Sequence, residues 1–342
     1  MIVIMASNNR GGDQGMAMRK MAVLTSGGDA PGMNAAIRAV VRIGLTLGAE
    51  VVGIRRGFAG LIAGEMIPMD ARLVGGIIQR GGTVLGTARA PEFMDPGVQR
   101  GAVEILRGCG VEGLAVIGGN GSLAGALALH ELGFPTVGIP ATIDNDVNKT
   151  DLAIGVDTAL NTALQAVDRI KDTASSHNRA FIVEVMGRDS GYLALMTGIA
   201  AGAEMVIVPE VKESFEHVLD EIRLAYAHGK PHFIVIVAEG ATPRASVLAE
   251  YIRQSRASGG ETFESRLTVL GHVQRGGCPS ATDRILATQL GARAAEVLFN
   301  GGSGQMVALD CGRIVTRDIA EVLRQRKPLP KQLYDLSNLL SR

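Results

Sequence analysis

The sequence predicts an α/β fold, with mostly parallel sheets covered by helices and two domains. Segments with the short apolar runs of strands alternate almost throughout with segments of helical periodicity. Two compact apolar runs, 114–117 and 136–139, are typical of strands buried in a parallel sheet. A length of 342 residues with 46% hydrophobic content is enough for two domains with large cores.

The elements follow one another regularly along the chain. We expect strands at 21–26, 50–55, 113–117, 135–139, 180–186, 205–208, 232–238, 266–271 and 306–310. Helical patterns lie between them, notably at 33–47, 122–132, 157–172, 214–227, 244–256 and 282–298. Many of the 45 glycines lie at strand ends, and no repeat of solenoid length or Pro/Ser-rich hinge is present.

A glycine-rich turn follows the first predicted strand. Residues 25–34 read TSGGDAPGMN, so Gly27 and Gly28 allow backbone N–H groups to face a phosphate at the start of the next helix. A glycine-rich turn between a strand and a helix is, however, about as often a simple tight turn as a phosphate site. The pattern G-x-x-x-x-G-K-[ST] is absent and G-x-G-x-x-G does not follow this strand, which argues against a P-loop and a Rossmann site.

Two further loops, about twenty residues apart, carry the strongest chemical signal. The first, 118–122, reads GGNGS and offers backbone that a polyphosphate can approach closely. The second, 140–146, reads PATIDND and places two carboxylates, Asp144 and Asp146, where one can face a substrate hydroxyl and the other a metal. Taken singly, Asp144 is more often an Asx-turn or helix cap, and Ser122 an N-cap. Because both loops follow predicted parallel strands, where α/β sheets bind their ligands, the two loops together predict phosphoryl transfer.

Composition excludes several other classes. Lys plus Arg and Asp plus Glu are 34 each, so no overall field attracts the protein to nucleic acid or a membrane surface. The longest apolar runs are too short, or too interrupted by charge, to span a membrane. Three widely spaced cysteines, Cys109, Cys278 and Cys311, show no metal-type pairing and favour a reducing cytoplasm.

The first twenty residues do not resemble a signal peptide, because they contain polar and basic residues and no continuous apolar core. We expect a flexible N-terminal extension over residues 1–19. The methionines Met16, Met18 and Met21 equally allow a later translation start.

Ordered motifs give the chain a family resemblance. They are LTSGGDAPGMNAAIR at 24–38, GGT and GTAR within 81–89, GGNGS, PATIDND, SSH at 175–177, MGR at 186–188 and LGHVQRGG at 270–277. Together they resemble bacterial 6-phosphofructokinases, from about residue 20 to beyond residue 300. The resemblance implies two three-layer α/β/α sandwich domains with the active site in the cleft between them. It also implies discontinuous domains: 20–155 plus 274–322 for nucleotide, and 156–273 plus 323–342 for sugar phosphate.

The resemblance implies transfer of a phosphoryl group from ATP, with Mg²⁺, to the 1-hydroxyl of fructose 6-phosphate, the committed step of glycolysis. Asp144 matches the base that accepts the hydroxyl proton, Thr142 holds the transferring phosphate, and Arg188 stabilises its charge. Asn120 and Asp146 match the magnesium positions. The nucleotide positions are Gly28, Arg89, Ala90, Gly119, Asn120, Gly121 and Ser122.

The sugar-phosphate positions form an Arg and His cluster, which suits a phosphate dianion. The full set is Thr142, Ile143, Asp144, Arg179, Met186, Gly187, Arg188, Glu239, Arg266, His272, Val273, Gln274 and Arg275. By resemblance, Arg179 and Arg266 reach the active site of a neighbouring subunit, which implies a homotetramer with shared sites.

A regulatory site for a nucleotide or phosphoenolpyruvate is also implied. Its positions are Arg38, Arg42, Lys171, Glu204 and Lys230. Glu65 stands where the resemblance leads us to expect an arginine, and its carboxylate would repel a diphosphate. We therefore expect weakened or altered regulation.

Two departures remove charge from the nucleotide side: Asn120 replaces an aspartate and Met94 an arginine. Pyrophosphate-dependent relatives carry Asp and Lys where this chain has the small residues Gly121 and Ala141, so we favour ATP. A pyrophosphate-dependent enzyme stays an alternative, as does a low-activity regulatory subunit that binds sugar phosphate. An NAD-kinase-like fold would share the glycine-rich loop but lack the motifs at 140–146 and 270–277.

Overall fold

The computed structural model describes residues 18–174, 179–259 and 263–340. Its strands are β1 (Lys20–Thr25), β2 (Glu50–Ile54), β3 (Met66–Met69), β4 (Gly113–Gly118), β5 (Thr136–Pro140), β6 (Arg179–Val185), β7 (Met205–Ile207), β8 (Phe233–Ala238), β9 (Glu264–Val269), β10 (Gln305–Asp310) and β11 (Arg313–Asp318). These strands form two separate sheets, as the fold prediction requires.

Helices occupy most of the segments between the strands. They are α1 (Met33–Thr46), α2 (Gly57–Ile62), α3 (Pro96–Gly108), α4 (Asn120–Glu131), α5 (Val156–Ala174), α6 (Tyr192–Ala201), α7 (Phe215–Ala227), α8 (Ala245–Ala257), α9 (Ala281–Phe299), α10 (Ile319–Leu323) and α11 (Lys331–Leu340). Short 3-10 turns lie at Pro91–Met94 and Gly271–Arg275. Among the described residues, no helix is long and apolar enough to cross a membrane.

The larger sheet has the order β11-β10-β5-β4-β1-β2-β3, with parallel pairing in its centre and antiparallel pairing at both edges. Both faces of β1 are buried: Met21 and Val23 belong to the core that includes α1 and α9, whereas Ala22 and Leu24 belong to the core that includes α4. Because the strands run parallel, β1, β4 and β5 end together. Ile117 at the end of β4 pairs with both Thr25 and Ile139. The three loops expected to bind phosphate therefore start side by side.

The smaller sheet has the order β7-β8-β6-β9 and is parallel throughout. All residues of β8 are buried, so both faces of this sheet are covered. Val185 pairs with Ala238, and Glu184 pairs with Val269. This register brings the segments that follow β6, β8 and β9 to one edge of the sheet.

A buried carboxylate joins the helices of the two sheets. Asp283, in the first turn of α9, accepts hydrogen bonds from the backbone N–H groups of Gly155 and Thr158, both at 2.8 Å. It also accepts one from the Thr158 hydroxyl. Burial raises the pKa of Asp283, while these hydrogen bonds oppose that rise. Asp283 thus caps the start of α5 and fixes the chain where it leaves the larger sheet.

The structure confirms the α/β fold class. It contains every predicted strand, with ends that differ from the prediction by no more than two residues. The main differences are unpredicted elements, including the antiparallel edge strands β3 and β11 and helices α2, α3 and α6. The prediction of Ser122 as an N-cap is wrong, because α4 starts at Asn120 with Gly119 as its cap. Residues 1–17 of the extension predicted at 1–19, and the motif at 175–177, lie outside the described residues. The domain boundaries stay a prediction.

Candidate active site

A cleft of about 920 Å³ brings together thirteen of the predicted site residues. Its walls come from the loops after β1, β4 and β5, and from the segments after β6 and β9. The predicted positions that line it are Gly28, Arg89, Ala90, Gly119, Asn120, Gly121, Ser122, Thr142, Asp144, Asp146, Arg188, His272 and Arg275. The cleft therefore brings the predicted phosphate loops together with the basic residues of the smaller sheet.

Asp144 is the most unusual polar residue of the cleft. Only 6% of the Asp144 surface is exposed, and no described residue donates a hydrogen bond to its Oδ1. Burial raises the pKa of Asp144, and the nearby charge of Asp146 raises it further, whereas Arg275 and Arg188 lower it. A buried carboxylate with a free oxygen and a raised pKa is suited to accept a proton.

The loop that carries Asp144 is held by its own polar groups. The backbone N–H of Asp144 donates to Thr142 Oγ1 at 3.2 Å. Asn145 has a left-handed φ of 47°, and its side chain accepts from Ala153 N–H and donates to the Asp151 carbonyl. Asparagine tolerates this conformation better than most residues, so the loop stays in position without a glycine.

Arg188 enters the cleft from a strained turn after β6. Gly187 and Arg188 have φ values of 145° and 52°, and Glu239 Oε1 accepts hydrogen bonds from both backbone N–H groups at 3.2 and 2.6 Å. Gln274 is fully buried, and its Oε1 accepts from the Met186 N–H at 2.9 Å. In this chain, Met186, Gly187, Glu239 and Gln274 shape the turn that presents Arg188. Their direct contact with a substrate stays a prediction.

Arg275 joins the two sides of the cleft. Its Nη1 donates to the Asp29 carbonyl at 3.2 Å, in the loop after β1. A Cβ at Gly28 would lie 2.4 Å from the same nitrogen, so a side chain at this position would displace the guanidinium from the loop. The glycine-rich turn and the motif at 270–277 are thus one structural unit.

The residues predicted to hold a metal lie together. Asn120 Nδ2 donates weakly to the Asp146 carbonyl at 3.4 Å, and both side chains line the cleft. Mg²⁺ is usually held by one or two carboxylates together with substrate phosphates. The Asp146 carboxylate and the Asn120 amide oxygen fit that pattern.

Several predicted substrate residues do not line the cleft of their own chain. Ile143 is buried in the core, and Val273 is exposed. Arg179, at the start of β6, and Arg266, on the edge strand β9, both pair with Glu264 of β9, at 2.8 and 2.7 Å. Apolar side chains are exposed here too: Leu267 and Val269 on β9, and Val273 in the 3-10 turn that follows it.

The predicted regulatory residues form two groups. Arg38 and Arg42 lie on α1, where Arg42 Nη2 donates to the Ala71 carbonyl at 3.4 Å. The other group is near the start of β7: Lys171 Nζ donates to the carbonyls at the C-terminal end of α6, and Lys230 lies 3.9 Å from Glu204.

Glu65, the departure from the expected regulatory pattern, is paired with Arg56 through two hydrogen bonds. Those bonds and the charge of Arg56 lower the pKa of Glu65. The carboxylate thus remains ionised but is balanced by a cation. The repulsion expected for a diphosphate is reduced by that pairing.

Some residues of the cleft were not predicted. Phe58 and Phe93 stack with ring centroids 4.2 Å apart, and Arg326 enters from the segment between α10 and α11. All three come from short or irregular segments, so no periodic pattern points to them. Their position depends on contacts between distant parts of the chain.

Comparison with known proteins decides the family. Residues 20–298 match the family profile described as Phosphofructokinase. This chain belongs to the phosphofructokinase family. It is 51% identical over 326 residues to the ATP-dependent 6-phosphofructokinase of Clostridium botulinum (strain Alaska E43 / Type E3), covering 95% of this chain and 100% of that protein. The enzyme of the same name from Thermotoga neapolitana is 50% identical, with the same coverage.

A solved structure shows the same family architecture. The chain is similar to phosphofructokinase from Saccharomyces cerevisiae, with a TM-score of 0.81 and 35% sequence identity. The similarity covers 94% of this chain and 46% of the yeast chain. The predicted family and fold class are therefore confirmed.

Proposed function

We propose that the protein transfers the terminal phosphoryl group of ATP to the 1-hydroxyl of fructose 6-phosphate, as a glycolytic 6-phosphofructokinase. The observation that carries this proposal is the position of Asp144, a buried carboxylate with a free oxygen, between a glycine-rich phosphate loop and two arginines. The names of the close relatives support the same activity.

Each group of the cleft has a chemical task in this reaction. Asp144 accepts the proton of the sugar hydroxyl as its oxygen attacks the terminal phosphorus, and the bond from that phosphorus to the bridging oxygen of ADP breaks. Arg188 stabilises the charge on the transferring group, and Thr142 holds it in line. Arg89 and the backbone of 118–122 bind the other donor phosphates. Magnesium, held by Asp146 and Asn120, supplies charge neutralisation on those phosphates when it is bound.

The space in the cleft favours ATP as the donor. Apart from its chain neighbours and the backbone of α4, a Cβ at Gly121 would meet no described protein atom within 4 Å, and Ala141 also lines the cleft with a small side chain. An acidic side chain at 121 would obstruct the inner phosphate of the nucleotide, and a lysine at 141 would take its place as a countercharge. Their absence leaves room for a nucleotide, in agreement with the relatives' names.

We also propose that the active enzyme is a cytoplasmic homotetramer. Arg179 and Arg266 do not line the cleft of their own chain, and both pair with Glu264 on the edge strand β9, which exposes apolar residues; this supports a role in a neighbouring subunit's site. The free cysteines support a reducing compartment. The predicted regulatory residues on α1 and near β7 are basic apart from Glu204, which suits an anionic effector.

The sugar specificity offers a direct test. With Mg²⁺ and ATP, the purified protein should phosphorylate fructose 6-phosphate at the 1-hydroxyl and should leave fructose almost unreacted. Fructose lacks the 6-phosphate, so it cannot make the charge-assisted contacts with the basic cluster. The measurement is ADP release together with identification of the sugar product. Equal rates with both sugars would contradict a phosphate-binding pocket.

A further inference from the structure

The segment between α10 and α11 runs along the loop that carries the catalytic aspartate. The backbone N–H of Lys327 donates to the Asp146 carbonyl at 3.1 Å, and its Nζ donates to the Asp151 carbonyl at 2.6 Å. The ammonium group also lies 5.7 Å from the centre of the Tyr192 ring. These contacts hold Lys327 against the loop, and the preceding residue, Arg326, lines the cleft.

Arg326 lies within electrostatic reach of the reaction centre. Its Nη1 is 2.8 Å from Asp189 Oδ2, in the turn that follows Arg188. The hydrogen bond to Asp189 raises the pKa of Arg326, and the charges of Asp146 and Asp144 contribute to the same rise. Arg326, Asp144 and Asp146 thus line the same cleft, and the guanidinium is close enough to both carboxylates to feel their charge.

The present partner of Arg326 is easily exchanged. The two side chains are 61% and 72% exposed, and ion pairs between such exposed groups contribute little stability. A phosphate dianion carries more charge than a carboxylate and accepts two parallel hydrogen bonds from a guanidinium. A donor phosphate that enters the cleft would thus be the stronger partner.

We propose that Arg326 binds the terminal phosphate of the nucleotide donor, and that Asp189 is the counter-ion that this phosphate displaces. This inference rests on the proposed function. The terminal phosphate is the relevant one because it must lie next to Asp144, where the sugar hydroxyl attacks it, and Arg326 is the basic residue that the segment 324–330 brings to this position.

The test compares three variants with the wild type. Arg326→Gln removes the cation, Asp189→Asn removes only its counter-ion, and Arg324→Gln removes a matched exposed arginine from the same segment but outside the cleft. For each, we would measure the KM for ATP and for fructose 6-phosphate, and bind the β,γ-imido analogue of ATP by calorimetry. AMP, as a competitive inhibitor against ATP, reports on the nucleoside end of the site.

We expect Arg326→Gln to weaken binding of the imido analogue and raise the KM for ATP roughly 10- to 100-fold, the loss of one charge-assisted contact. AMP inhibition and the KM for fructose 6-phosphate should stay unchanged, and Arg326→Lys should recover part of the affinity. Asp189→Asn should bind the analogue equally or more tightly, and Arg324→Gln should match the wild type.

Two outcomes would overturn the assignment. If Asp189→Asn weakens analogue binding as much as Arg326→Gln does, the ion pair only holds the segment in place. If the KM for fructose 6-phosphate rises instead of the KM for ATP, Arg326 belongs to the sugar side. A wild-type protein that binds the imido analogue but makes no sugar bisphosphate would reject the proposed function, while the binding comparison would still decide the role of Arg326.

Discussion

Replacement of Asp144 by asparagine should lower kcat by roughly 10²–10⁴-fold, the usual contribution of general-base catalysis. Asparagine keeps the shape of the side chain and the hydrogen bond from the Asp144 backbone to Thr142, but it cannot accept the hydroxyl proton. The KM for fructose 6-phosphate should change little, because the arginines of the sugar side remain. Steady-state rates of fructose 1,6-bisphosphate formation measure both quantities.

The pH profile separates this role from a structural one. Since the pKa of Asp144 is raised by burial and by Asp146, the carboxylate loses its charge at a higher pH than an ordinary aspartate does. The kcat/KM of the wild type should therefore fall with decreasing pH already above the usual range of aspartate, and this limb should be missing from Asp144→Asn. Asp151→Asn, an exposed change on the same connection, is the matched control. A kcat for Asp144→Asn close to that of the wild type would remove Asp144 from the mechanism.

Replacement of Arg266 by alanine should raise the KM for fructose 6-phosphate roughly 10- to 100-fold, with a smaller effect on kcat. A charge-assisted hydrogen bond to a phosphate contributes about 1.5–3 kcal/mol, and the remaining arginines only partly compensate for its loss. Steady-state kinetics with fructose 6-phosphate as the varied substrate give both constants.

A matched arginine controls for the loss of an ion pair. Arg256 contacts the same carboxylate, Glu264, at 3.8 Å, but it is not among the predicted sugar-phosphate residues. Arg256→Ala should therefore leave the KM for fructose 6-phosphate near the wild-type value. An equal rise in both variants would show that Glu264 needs its partners for local structure. A fully active monomer in solution would contradict the shared site.

The central part of the fold could be predicted from sequence because buried parallel strands produce compact apolar runs. The ends of β4 and β5 and the loops that follow them were located correctly for this reason. The edge strands β3 and β11 are only partly buried, so their sequences carry no comparable signal. Ser122 was misassigned as a cap because Gly119 caps α4 without a side chain, three residues earlier.

The chemistry of the site was predictable where it depends on local sequence, as for Asp144 and the glycine loops. It was not predictable where distant segments meet. The burial of Gln274 against the Met186 N–H and the contact of Arg275 with the Asp29 carbonyl depend on packing between the two sheets. Arg326 reaches the cleft through the contacts of its neighbour Lys327, which no short motif encodes.

The most direct test of the proposed reaction is a comparison of phosphate donors. Fructose 6-phosphate would be supplied with saturating ATP or saturating pyrophosphate, each with Mg²⁺ and with the same protein preparation, and formation of fructose 1,6-bisphosphate would be followed. Since the space beside Gly121 and Ala141 is open, we expect rapid turnover with ATP and little with pyrophosphate. Faster turnover with pyrophosphate, or no sugar bisphosphate from either donor, would contradict the account.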